Sequence, residues 1–335
     1  VYVVETDSQS HLLTMRYIPL LILLSACASP SQRTPPSVPV SGSDAYLPEE
    51  DASVGILVMA HGGNEKWNAA VREAVQPLAD VIPTEIAFGM ADPLSLKAGL
   101  SSLEDAGVER IAVVRMFLSG ESFAEQTRYL LGLSDTPPEH FMLMGEARRL
   151  GPSPLPLSHH SEIATQEEGI MLSYEAAEIV AARALELAHQ PATESVLLLA
   201  HGMGEDGANE RVLGAMERTA TDIAARGFAA VKVETLQEDW AEERAEAENR
   251  IRTFVAEQSG MGRRVIVVPY RLSGFGPYAE VLNGLEYSAA EGLLPHPRLS
   301  DWVSRTASEV ICAQGWTTPL SSCRGDAATA PGHAR

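Results

Sequence analysis

The sequence predicts an α/β fold of two similar, doubly wound parallel-sheet domains that arose by internal duplication. Three observations carry this expectation. Short continuous apolar runs alternate with longer stretches of three- and four-residue apolar spacing. That is how strands buried on both faces of a parallel sheet read when helices join them. VGILVMAHG at 54–62 is answered by SVLLLAHG at 195–202, so Ala60-His61-Gly62 falls on Ala200-His201-Gly202 at an offset of 140. Farther on, RIAVVRMFLSG at 110–120 is answered by RVIVVPYRLSG at 264–274 at an offset of 154, and Phe123-Ala124-Glu125 resembles Tyr278-Ala279-Glu280. Matches that recur in the same order define a tandem repeat.

At the N-terminal end, residues 15–30 read MRYIPLLILLSACASP. One arginine precedes an apolar run at 17–24, which is too short to span a bilayer. Leu24-Ser25-Ala26-Cys27 follows and resembles a bacterial lipobox, whose cysteine is lipidated and becomes the new N-terminus. Residues 1–27 are therefore expected to be a signal segment and 28–50 a flexible tether, rich in Pro and Ser over 29–43. The expectation is an exported protein, held on the membrane of the cell envelope by a lipid on Cys27.

The first repeat is expected over 51–150, with strands at 56–60 and 111–114 and helices at 67–79 and 94–106. Asp92-Pro93 supplies a helix start for the second of these. A connection at 151–190 includes a helix at 173–188 that packs on the repeats. The second repeat spans 191–313, with strands at 196–200 and 265–268 and helices at 209–226, opened by Asn209, and 240–258. Its run of glutamates reads as a solvated helix face. Residues 314–335 are expected to be a flexible tail. Cys312 and Cys323 sit in the Ser-, Gly- and Pro-containing C-terminal stretch. In an oxidising compartment a disulfide between them and two free thiols are both open, and no zinc-type Cys/His spacing occurs.

Composition excludes several classes. Hydrophobic residues make up 45% and charged residues 21%, an ordinary globular balance. Lysine and arginine total 25 against 45 aspartates and glutamates, a formal charge of −20 with no basic run. A duplex-binding protein needs a basic footprint to neutralise phosphates, so no nucleic-acid partner is expected. After the first strand the loop reads His61-Gly62-Gly63 and is not a G-x-G-x-x-G loop, which argues against nicotinamide binding there, and no G-x-S-x-G elbow occurs, which argues against an α/β-hydrolase.

In doubly wound sheets, function sits outside the carboxyl ends of the strands. His61 and His201 are placed there, and the turns Leu118-Ser119-Gly120 and Leu272-Ser273-Gly274 follow the third strand of each half. The duplication aims both histidines and both turns at a shared cleft. A neutral imidazole can bind a divalent metal or take a proton near neutral pH, and the following Gly62 and Gly202 let a bulky ligand approach the backbone. His159-His160, in the connection, is a further pair that could meet a metal.

The repeated Ala-His-Gly after a buried strand and the later strand ending in FLSG or YRLSG resemble the class II tetrapyrrole chelatases. The two-repeat sirohydrochlorin cobaltochelatases and ferrochelatases are the relevant type, and VETLQEDW at 233–240 fits the segment after that family's second strand. The resemblance covers about 54–313. It implies ATP-independent insertion of a divalent metal, Co²⁺, Fe²⁺ or Ni²⁺, into sirohydrochlorin or a related tetrapyrrole, as in cobalamin or porphyrin biosynthesis. His61 and His201 would hold the metal or accept a pyrrole proton. Gly62, Ser119, Gly120, Gly202, Ser273 and Gly274 would face the macrocycle, and Arg115 or Arg271 its carboxylates.

Many members carry a second histidine soon after the third strand, where this chain has Phe123 in one half and Pro277 or Tyr278 in the other. Glu121, Glu125 or Glu280 would supply an oxygen ligand or base instead. The alternative is a non-catalytic envelope lipoprotein that binds metal or tetrapyrrole in the same cleft. Two fused repeats make a monomer possible, since two halves can do what a homodimer of single repeats does.

Overall fold

A computed structural model describes residues 52–318, which all fall in one compact unit. The expectations for the signal segment, Cys27, the tether, Cys323 and residues 319–335 lie outside the described residues. The first sheet has the order β2-β1-β3-β4, from β1 (Val54–Ala60), β2 (Thr84–Phe88), β3 (Arg110–Met116) and β4 (Glu162–Thr165). The second repeats it as β6-β5-β7-β8, from β5 (Glu194–Ala200), β6 (Ala230–Thr235), β7 (Arg264–Pro269) and β8 (Ser288–Ala289). Every pairing is parallel.

Why the central strands read as unbroken apolar runs is now visible. On β1, Ile56, Val58 and Ala60 face a core shared by both sheets, while Leu57 and Met59 face outward onto Leu96, Leu100 and Leu103 of α2 (Pro93–Asp105). On β5, Val196, Leu198 and Ala200 face the shared core, and Leu197 and Leu199 meet Ile251, Phe254 and Val255 of α6 (Ala241–Gly260). A strand covered on both sides has no polar face to alternate with.

The shared core is closed by α1 (Glu65–Ala79), α4 (Tyr174–Leu187), α5 (Asp206–Ala224) and α8 (Pro297–Ala313). Their order in space departs from their order in the chain. Helix α4 follows the first sheet in sequence yet packs on β7 and α5 of the second. Helix α8 follows the second sheet yet packs on α1, β3 and β4 of the first, and α4 and α8 also touch each other. The two repeats have exchanged a helix. The remaining helices, α3 (Ala124–Leu130) and α7 (Tyr278–Val281), follow the turns after β3 and β7.

Local signals explain the helix starts. Asp92 caps α2 by accepting from the Leu94 and Ser95 amides, with Pro93 in the first turn where no donor is needed. Asn209 does not open α5. Glu205 caps it, accepting from Gly207 and Ala208, and Asn209 lies inside the helix with its side chain turned to the preceding loop. Cys312 lies in α8 and not in a loose tail; it is disulfide-bonded to a partner outside the described residues. Among the described residues no helix is long and apolar enough to cross a membrane.

Candidate functional site

Both halves build the same loop at the end of the central strand. The Nδ1 of His61 lies 2.8 Å from the Gly62 carbonyl oxygen, and that of His201 lies 2.9 Å from the Gly202 oxygen. A carbonyl only accepts, so Nδ1 carries the proton in each ring and the lone pair of a neutral imidazole sits on Nε2. Gly62 and Gly202 have φ of +78° and +85°, a conformation that favours glycine. A Cβ on Gly202 would come within 2.8 Å of Thr235 Cβ. The loops are then tied back to the next helix: the Gly63 amide donates to Asn68 at 2.9 Å and the Met203 amide to Asn209 at 3.1 Å.

Beyond this frame the halves diverge. The loop after β6 places two carboxylates at His201: Asp239 Oδ2 lies 3.3 Å from Nε2 and Glu238 Oε2 lies 3.9 Å away. Trp240 stands edge-on to the imidazole at 6.1 Å and lies over Gly204, where a Cβ would meet its Nε1 at 2.0 Å. The turn after β2 is related but not the same, since Met90 and Ala91 both have positive φ where Gln237 alone does after β6. Ala91 stands there in place of Glu238, and His61 has no carboxylate in ion-pair range among the described residues. Its neighbours are aromatic: Trp67, 6.4 Å away and tilted, with Phe88 edge-on beyond.

Glu238 is shared. Its Oε1 takes a tight hydrogen bond from Arg271, whose guanidinium also lies 5.6 Å from the Tyr278 ring centre. Burial works against the Arg271 charge, but Tyr278 and Glu238 outweigh it, and the pKa lies above the usual arginine value. Burial likewise pushes the Tyr278 phenol well up, so it is neutral at physiological pH. Among the described residues no three His, Cys, Asp or Glu side chains are gathered as a ready metal cage.

The other sequence candidates are placed elsewhere. Glu121 pairs with Arg211 of α5 at 2.8 and 3.1 Å, so it bridges the halves and does not serve His61. Glu280 is exposed on α7 and makes no ion pair among the described residues. Gly120 has its missing side chain filled by backbone, because a Cβ there would lie 2.1 Å from the Glu167 oxygen. The Ser119 hydroxyl accepts from the Glu121 amide, an internal turn bond. Ser273 is half-buried, and Gly274, with φ of +75°, faces open space.

Arg115 is 2% exposed and donates to the Gly120 and Ser122 carbonyls at 2.7 Å each, so it holds the turn and does not meet a ligand. His159 has its ring nitrogens 3.0 and 3.1 Å from the Ser161 and Leu131 carbonyls, and His160 pairs with Glu104; they diverge and form no metal pair. The residues missed as site members are Glu238, Asp239 and Trp240, although they end the VETLQEDW segment. Their signal was two acids directly after a strand end.

These features define a class: an α/β protein of two fused parallel-sheet repeats, with a histidine at the carboxyl end of each central strand. Solved structures share the fold. SirB from Bacillus subtilis with Fe³⁺ is similar at a TM-score of 0.56 and 15% identity, over 78% of this chain and 98% of that one. The sirohydrochlorin chelatase SirB from Bacillus subtilis subspecies spizizenii, in complex with cobalt, is similar at 0.53 and 16%, over 78% and 97%. No protein-family model and no curated protein matches the sequence. The fold is that of the class II chelatases.

Proposed function

We propose that this chain is an ATP-independent chelatase that inserts a divalent metal, Co²⁺ or Fe²⁺, into sirohydrochlorin or a related tetrapyrrole. The observation that carries the reading is His201: Nδ1 is pinned to a carbonyl, and Nε2 is aimed at Asp239 and Glu238. The chelatase fold and the cobalt and Fe³⁺ in the SirB structures support it.

Insertion exchanges two pyrrole protons for one metal ion. The site must therefore receive a cation from water, release it to four nitrogens and take up two protons. His201 Nε2 and the Asp239 carboxylate are a weak, partly exposed ligand pair that can do the first two. The same atoms have the lone pairs to accept protons for the third.

The His61 half would contribute surface and not chemistry. Export and a lipid on Cys27 remain part of the proposal; incorporation of labelled fatty acid that is lost in Cys27→Ser is the corresponding test.

The deciding experiment mixes the full chain anaerobically with sirohydrochlorin and Co²⁺ and follows the absorbance spectrum. Insertion faster than the protein-free rate, lost in His201→Ala and retained in His61→Ala, is the expected result. A spectral shift that saturates at one equivalent without turnover would replace the enzyme with a tetrapyrrole-binding protein.

A further inference from the structure

The carboxylate that could complete a metal site at His201 with Asp239 is held by a second partner. Glu238 gives one oxygen to His201 at 3.9 Å and the other to Arg271, and its side chain is only 12% exposed. Arg271 is itself 27% exposed, so its side chain is not sealed from solvent. The fold is shaped around this pair. Gly276 has φ of +62°, and a Cβ there would press on the Arg271 guanidinium carbon at 2.9 Å. Tyr278, fully buried, supplies the ring against which the guanidinium rests.

The repeat gives an independent indication. The position of Arg271 is Phe117 in the first half, and the position of Glu238 is Ala91. The half that lacks the arginine also lacks the carboxylate.

We infer that Arg271 is a positioning residue that withholds Glu238 from metal until a carboxylate of the incoming macrocycle takes its place on the guanidinium. The macrocycle then loads first, and its arrival completes a His201–Asp239–Glu238 ligand set directly beneath it. Ordered loading keeps the site from trapping stray cations, a hazard on a strongly acidic protein. The exchange balances: one carboxylate–guanidinium pair is broken and another formed, with no net charge buried. The inference rests on the reading of this site as a chelatase centre.

The test uses Co²⁺ alone, titrated anaerobically into the full chain and followed by the visible absorption of the bound ion. Arg271→Phe, the residue the other repeat carries, should tighten Co²⁺ binding about tenfold by releasing Glu238, a charged hydrogen bond being of that order. Glu238→Gln should weaken Co²⁺ binding by less than about threefold with Arg271 present and by about tenfold in the Arg271→Phe background, a coupling read as a double-mutant cycle.

Zinc uroporphyrin, carboxylated but already filled, should tighten Co²⁺ binding to the unmodified chain and leave Arg271→Phe unmoved. A full tenfold loss from Glu238→Gln alone would show that Glu238 already ligates, and would overturn the inference even if Arg271→Phe does not fold. Failure of Arg271→Phe, when folded, to bind Co²⁺ more tightly would overturn it too. Loss of insertion activity by the unmodified chain would instead remove the chelatase reading and leave these metal titrations standing.

Discussion

Arg305 of α8 donates two hydrogen bonds, at 2.6 and 2.9 Å, to the two oxygens of Glu175 in α4. Glu175 is fully buried, and the pair joins the two exchanged helices across 130 residues of chain. Removing one partner of such a pair strands the other charge away from water, which is worse than never having had either. Arg305→Ala should therefore cost about 3 kcal/mol of unfolding free energy, whereas a double replacement with apolar residues should cost far less. Urea denaturation of the three chains checks this.

Two other carboxylates give an acid limb. Burial pushes Glu104 up, but amide donors from His160 and Ser161, the Ser161 hydroxyl and the His160 charge outweigh it, and its pKa is lowered. Burial is likewise outweighed at Glu194, by Arg264 and the His189 and Gln190 amides. A carboxylate whose folded-state pKa is depressed adds stability above its unfolded value, and that stability is lost as pH falls through the folded one. Glu104→Gln and Glu194→Gln should thus be less stable than the parent at pH 7 and converge with it only as pH falls below the ordinary carboxylate range. Equal differences at pH 7 and below that range in denaturant titrations would contradict this.

Glycine positions separate backbone need from accident. Gly120 has no room for a Cβ, which would sit 2.1 Å from a backbone oxygen that cannot swing away. Gly120→Ala should destabilise by about 2 kcal/mol or more. Gly214, exposed on α5 with nothing within 4 Å, should gain about 0.5–1 kcal/mol as alanine. Thermal unfolding of both variants reads the opposite signs.

At the site, Asp239→Asn keeps the shape but removes the nearest charge from His201. Metal insertion should fall about tenfold or more, the smaller part of a general-base contribution. The companion change at the other half, Trp67→Phe, should leave insertion within about twofold while removing its own fluorescence. Stopped-flow absorbance with sirohydrochlorin and Co²⁺ measures both.

The fold was legible where the physics is local. Unbroken runs such as Ile111 to Val114 announce a strand covered on two faces, and Asp92-Pro93 announces a helix start. The duplicated His-Gly also located the strand ends correctly. What was not legible was partnership. Nothing in the spacing of Leu299, Trp302, Val303 and Thr306 says that this helical face belongs to the opposite sheet.

The same limit governs the site. Glu121 and Glu280 lie close in sequence to the turn that follows each third strand, yet one pairs with the other half and the other faces solvent. Glu238 and Asp239 reach His201 because β6 lies beside β5, a neighbour relation that topology sets. Burial cannot be read from a residue type, so the sequence left Arg115 open between a ligand-binding charge and a surface ion pair, and the structure makes it neither.

The crossed helices bear on what a fragment of this protein would be. A break near residue 190 leaves α4 with the first sheet's fragment, although its seat is on the second, and leaves α8 with the second sheet's, although its seat is on the first. Neither piece would carry its own lid. Each would expose an apolar sheet face and an apolar helix that fits only the other, so separate expression should yield insoluble chains. Co-expression should regenerate the whole by complementation in trans. Halving the duplicated chain would therefore leave each product without the helix that closes its own sheet.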